Sequence, residues 1–187
     1  DRLPTWNGEL YLEFHRGTLT SIAPIKRGNR KAELALRDAE WLCTLAKLRG
    51  EEYPAEQFLR TWKTLLLNQF HDILPGSSIP QVNDEAIADL ARCVQEAQGL
   101  SADAAGALGA GRSRSKVLVL NSLSWDRKGE IALSGVPESL LPSGPGLEAQ
   151  RIEGIEGEGR LLIGGLCLPA LGAVTVDLAE GTAEADS

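Results

Sequence analysis

Gln69-Phe70-His71-Asp72-Ile73, running into Leu74-Pro75-Gly76-Ser77-Ser78, sets an imidazole beside a carboxylate just past an apolar, helix-forming stretch. A neutral imidazole is a strong ligand for zinc-like ions, and a neighbouring carboxylate can hold a metal or accept hydrogen bonds from a polyhydroxylated substrate. Two plainer roles compete. His71 could cap the last carbonyls of the helix, where a cation near the negative end of the dipole is favourable by about 0.3 to 1 kcal/mol. Asp72 could form a turn by bonding its own backbone ahead of Pro75.

The rest of the chain offers few further ligands. It holds 2 histidines, His15 and His71, so a tetrahedral zinc centre within it would have to be completed by cysteines or carboxylates. Cys43, Cys93 and Cys167 lie 50 and 74 residues apart with no C-x-x-C pairing, and each has apolar neighbours. That pattern reads as buried, reduced thiols. An odd cysteine count without an apolar leader points to a reducing, cytoplasmic compartment. The formal charge of -7 and the pI near 4.9 disfavour nucleic acid or an anionic membrane as partner. No run approaches the roughly 18 apolar residues of a membrane span.

The elements that must position the His-Asp pair change character along the chain. Between positions 26 and 48 the spacing of Leu34, Trp41, Leu45 and Leu48 predicts a one-sided helix, with Gly50 suited to its C-terminal cap. A second helix should open at Pro54 and run through Phe58, Trp62, Leu65 and Leu66 to about Asn68, delivering the chain to His71. A third is carried by Ile87, Leu90, Ala91 and Val94, opened by Asn83 or Asp84 and closed by Gly99. Residues 101–115, rich in Ala, Gly and Ser, read as a linker. Beyond them, short β-rich runs at 116–120, 130–133, 160–163 and 173–178 predict part of an antiparallel sheet. The fold class is therefore α+β: a three-helix bundle followed by a small, incomplete antiparallel β module. The expected divisions are a strand and loop over 1–24, the bundle over 25–100, the linker over 101–115, the β module over 116–179 and a disordered tail over 180–187.

The amino-terminal stretch 1–21 fits neither module. It mixes Trp6, Tyr11, Phe14, His15 and Arg16 with Gly8 and Gly17, and aromatic faces of this kind stack on sugars. The commoner role for Trp6, Tyr11 and Phe14 is to pack the loop onto the bundle.

Several of these runs together resemble a known family. Trp6-Asn-Gly-Glu-Leu-Tyr-Leu-Glu-Phe-His-Arg-Gly-Thr18, Lys26-Arg-Gly-Asn-Arg30 and Leu67-Asn-Gln-Phe-His-Asp-Ile-Leu-Pro-Gly-Ser-Ser78 are similar to the bacterial and cytosolic branch of the α-mannosidases of glycoside hydrolase family 38. Val117-Leu-Val-Leu-Asn-Ser-Leu-Ser-Trp125 is similar to the opening of that family's carboxy-terminal β region, as are Arg160-Leu-Leu-Ile163 and Leu168-Pro-Ala-Leu-Gly172. Leu19 departs from the aromatic residue often found after Gly-Thr, which leaves no stacking group at that position.

The resemblance implies a piece of a larger, metal-dependent retaining glycosidase acting on terminal α-mannosyl residues of mannosides and oligosaccharides. In that family an amino-terminal α/β barrel supplies the nucleophilic and acid/base aspartates and three of four metal ligands. This chain, which contains no His-x-Asp motif, is expected to begin after them. His71 matches the remaining ligand, to zinc or else cobalt or manganese, and Asp72 the carboxylate that reaches the sugar hydroxyls. The chain alone is then expected to lack turnover and to expose an apolar patch through which it self-associates. A different class of reading is a non-catalytic helical interaction module with a β appendage.

Overall fold

The structure is a computed structural model, and it describes residues 3–8, 15–109, 113, 115–153 and 159–181. Tyr11 and Phe14, and the tail beyond Gly181, lie outside the described residues. The chain divides into two compact units, 1–108 and 109–187, each described by itself below.

Among the described residues, the first unit is built on three helices, α1 (Ala23–Lys47), α2 (Ala55–Asn68) and α3 (Pro80–Ala107). On α1 the buried residues are Ile25, Asn29, Ala32, Leu36, Ala39, Cys43 and Ala46, an alternating spacing of four and three. Asn83, Ala86, Leu90, Cys93, Ala97 and Ala104 keep the same rhythm along α3. A 3.5-residue repeat keeps one seam facing its partner along two packed helices. Because the seam is built largely of Ala, Cys and Asn, the two backbones approach closely. A Cβ added at Gly28 would sit 3.1 Å from Leu90 Cβ.

This seam differs from the face the larger apolar residues predict. Leu34 is 44% and Leu48 79% exposed, so they point away from the core they were expected to fill. The α1 terminus is as expected: Gly50 takes φ +102°, and the amides of Gly50 and Glu51 bond back to Lys47 and Ala46. On α2, Phe58, Thr61, Leu65 and Asn68 are buried, while Leu66 is outward.

α3 corrects the linker expectation. The helix opens at Pro80 with Ile79 as its cap, not at Asn83, and passes through Gly99 to Ala107. Gly99 lowers helix propensity by only about 1 kcal/mol. Ala97 and Ala104, both buried on the seam, and the partly buried Leu100 provide the packing that offsets it. Trp6 is likewise not a core aromatic, since it is 65% exposed.

Among the described residues, the second unit holds six strands: β1 (Lys116–Leu120), β2 (Arg127–Ser134), β3 (Leu140–Ser143), β4 (Glu148–Glu153), β5 (Gly159–Leu168) and β6 (Ala173–Glu180). They form two three-stranded antiparallel sheets in the orders β1-β6-β3 and β2-β5-β4. Val119, Val176 and Leu178 from one sheet share a core with Leu161, Ile163, Leu166 and Leu168 from the other. Arg151 on β4 ties the sheets together by donating to the carbonyls of Val136, Pro137 and Leu140 at 3.0, 2.6 and 2.8 Å.

β3 and β4 are the strands the sequence does not announce. Both lie at sheet edges, where β3 can carry Pro142 and β4 can be mostly polar. Glu180 belongs to β6, paired with Leu140, so the tail expectation is corrected at that position. Cys167 is exposed rather than buried, because strand alternation puts Leu166 and Leu168 inward and the residue between them outward.

Candidate functional site

The chain leaves α2 through a run of main-chain turns. Leu66 and Leu67 carbonyls accept the amides of Gln69 and Phe70, and Phe70 carbonyl accepts those of Ile73 and Leu74. Main-chain amides thus take the Leu66 and Leu67 carbonyls at the end of α2, and the His71 ring pairs with Asp72 instead. His71 stands on the outer side of the turn, its side chain 77% exposed and its Nε2 3.4 Å from Asp72 Oδ2, whose side chain is 60% exposed. The Phe70 ring lies against the imidazole, centroids 4.2 Å apart.

An exposed pair would normally wander, yet this turn is fastened at several points. On its amino side Gln69 Nε2 donates to Asn29 Oδ1 at 3.0 Å and to Glu33 Oε1 at 2.9 Å, both on α1. Asn29 Nδ2 also reaches Glu33 Oε1 at 3.3 Å, and Arg30 bonds the second oxygen of that carboxylate at 3.1 Å. Beneath the pair, Ile73 and Leu74 pack against the helical core.

On the carboxyl side the Asp72 carbonyl accepts the hydroxyls of Ser77 and Ser78, and Asn83 of α3 holds the Ser78 carbonyl. Asp72 thus anchors the turn by its main chain and leaves its carboxylate facing outward beside His71. Gly76 completes the seat at φ +79°, its α-carbon set against Ser21 and Ile22.

What this arrangement can hold is limited. Among the described residues, no group of three or more His, Cys, Asp or Glu side chains converges to hold a metal ion. His15 lies in the turn ahead of α1, where its carbonyl accepts from Thr18. The donor types of His71 and Asp72, nitrogen and oxygen, fit a zinc-like ion, but as one or two corners of a shell rather than the whole. A cleft of about 300 Å³ bounded by Gln57, Arg60, Glu96, Gly99, Leu100 and Asp103 has neither residue in its wall.

The pair was legible in the sequence; Gln69, Asn29 and Glu33 were not singled out there. A glutamine two residues before the His-Asp pair was the available signal, and its contacts 40 and 36 residues away exist only in the fold.

Among the described residues, the three helices display a His-Asp turn between α2 and α3 without closing a metal site around it. The family model for the alpha mannosidase middle domain matches residues 13–108, and the chain belongs to this family. It is 43% identical over 136 residues to human alpha-mannosidase 2C1, covering 71% of this chain and 13% of that protein. It is 37% identical over 134 residues to a Saccharomyces cerevisiae alpha-mannosidase, covering 70% and 12%. The chain thus spans about an eighth of these relatives' length. In fold it is similar to a glycosyl hydrolase family 38 protein from Enterococcus faecalis, with a TM-score of 0.63 at 16% identity, over 100% of this chain and 27% of that one. No helix among the described residues is long and apolar enough to cross a membrane.

Proposed function

We propose that this chain is the middle portion of a metal-dependent retaining α-mannosidase of glycoside hydrolase family 38, and that it contributes His71 as one metal ligand and Asp72 as one contact to the sugar. The observation that carries the reading is the His71–Asp72 pair itself, exposed yet fastened at both ends of its turn, in a chain that matches α-mannosidases.

His71 would act as a neutral imidazole, offering a nitrogen lone pair, with the Phe70 ring limiting its rotation. Asp72, as a carboxylate, would accept hydrogen bonds from hydroxyls of a terminal mannosyl residue. A zinc, cobalt or manganese ion bound there would supply Lewis-acid polarisation of sugar oxygens. The nucleophile and the acid/base carboxylate, about 5 Å apart in a retaining glycosidase, would come from an amino-terminal barrel domain elsewhere in the longer protein.

That domain is also the partner we assign to the outward face of α2. Leu59, Leu66 and Leu67, continued by Phe70 next to His71, are all at least half exposed. An apolar stripe running up to a half-built site is a natural seat for the domain that completes it. Read in isolation, the same stripe favours a helical interaction module, which is the alternative. Neither reading calls for nucleic acid or a membrane, and three unpaired thiols fit a cytoplasmic setting.

Turnover separates the two. The full-length protein should hydrolyse an aryl α-mannoside and lose that activity to a chelator, while residues 1–187 with added zinc should not. A full-length protein inert toward α-mannosides would favour the module, and hydrolysis by the 187 residues alone would remove the need for a barrel.

A further inference from the structure

Gln69 stands two residues before the proposed ligand, touches neither metal nor sugar in that scheme, and still makes the most elaborate polar contact of the turn. Its carboxamide has two N–H groups, and both are taken up, by Asn29 Oδ1 and Glu33 Oε1. Asn29, 9% exposed, turns its own amide to the same Glu33 oxygen, and Arg30 takes the other. The result is a closed network in which one carboxylate on α1 organises the exit of α2.

A surface turn needs no such network for stability alone. Ile73 and Leu74 already bury beneath it, and main-chain bonds already close it. What the network adds is a fixed orientation of Gln69, the residue that caps α2. That orientation sets where His71 projects.

We infer that Gln69 is a positioning residue for His71, held by the Asn29–Glu33 pair, and that the network determines how well the imidazole meets a metal ion. The inference rests on the reading of His71 as ligand. Hydrogen-bonded groups behind metal ligands typically change metal affinity 10- to 100-fold when removed, because they fix ligand orientation. Here the support comes through the main chain rather than through the ring itself. Gln69→Glu would set a second carboxylate against Glu33. The double variant Glu33→Gln/Gln69→Glu restores the donor–acceptor contact between positions 33 and 69 with the roles exchanged, while giving up the Asn29 and Arg30 contacts.

The test measures zinc affinity by chelator competition in the full-length enzyme, together with hydrogen exchange at the amides of residues 70–74 and 76. Gln69→Leu and Gln69→Glu should each weaken zinc binding about 10- to 100-fold and speed exchange in the turn. The double variant should recover at least half of the lost affinity on a logarithmic scale. If His71→Ala abolishes tight zinc binding while Gln69→Leu and Gln69→Glu leave it unchanged, Gln69 is not a positioning residue, although the ligand reading stands. If the double variant regains wild-type exchange but not affinity, the inference also fails. Zinc affinity indifferent to His71→Ala would remove the ligand reading and this inference with it.

Discussion

Gly76 and Ile22 face each other with no room for a methyl group between them: a Cβ on Gly76 would lie 2.9 Å from Ile22 Cγ1 and 3.0 Å from the Ser21 carbonyl oxygen. Both residues adopt positive φ, +79° for Gly76 and +48° for Ile22. The carboxyl end of the His-Asp turn is therefore seated on the cap of α1. Gly76→Ala should cost about 2 to 4 kcal/mol, combining left-handed strain with overpacking. Denaturant unfolding followed by tryptophan fluorescence measures this, and a loss below about 0.5 kcal/mol would mean that the seat is soft.

The cysteines should divide by reactivity. Burial raises the Cys43 thiol, assisted by the negative charge of Asp103, and burial is again the largest cause for Cys93, with Glu96 and Asp89 adding to it. Cys167 is exposed. One equivalent of a thiol reagent should react quickly with the native chain near pH 8, and Cys167→Ser should abolish that fast phase.

The same shifts set a pH dependence. A thiol raised by folding ionises first in the unfolded chain, so its contribution is fully present below the unfolded pKa, about 8.5, and is lost as pH climbs through the folded value. Tyr53, raised mainly by burial, works in the same direction at higher pH, and Lys26, lowered by burial, in the opposite one. Unfolding midpoints under reducing conditions should fall between pH 8 and 10, and less steeply in Cys43→Ala/Cys93→Ala. Parallel slopes in the two proteins would contradict this.

Asn121 is the corresponding fixture of the second unit. It is 2% exposed; its amide donates to the carbonyls of Trp125, Leu168 and Pro169, and its oxygen accepts from the Leu123 amide. Asn121→Ala should destabilise this unit by about 2 to 4 kcal/mol, since several main-chain groups lose their partner together. Hydrogen exchange at β5 and β6 amides reports on it, and unchanged protection would refute the assignment.

How much of this was visible in the residues depends on what each element uses to pack. α2 follows large apolar residues, and Phe58 and Leu65 are buried where their spacing predicts. The α1–α3 seam follows Ala, Cys and Asn at heptad spacing, which a search for large side chains passes over in favour of Leu34 and Leu48. Gly99 and the small residues after it look like a linker for the same reason. β3 and β4 lie at sheet edges, so one tolerates a proline and the other a polar sequence, and neither carries the alternation that marks β6. At the site, the chemistry of His71 and Asp72 stood in the local sequence. Their anchoring did not, because Gln69, Asn29 and Gly76 find their partners only once the helices are packed.

The exposed α2 stripe predicts behaviour of the isolated chain. On the proposed reading, residues 1–187 without the barrel domain should self-associate at high concentration, and Leu59→Lys/Leu66→Lys, both exposed on α2 about a quarter-turn round from buried Phe58 and Leu65, should return the chain to a monomer. Light scattering from a clean monomer of the unmodified chain at high concentration would count against this.

On the proposed reading, His71 completes a metal shell begun on another domain. Zinc stoichiometry and affinity of the full-length enzyme, compared with its His71→Ala variant, test it most directly. One tightly held ion is expected in the former, and a loss of at least 100-fold in affinity in the latter, with the fold intact. Equal zinc content at equal affinity in both proteins would contradict it.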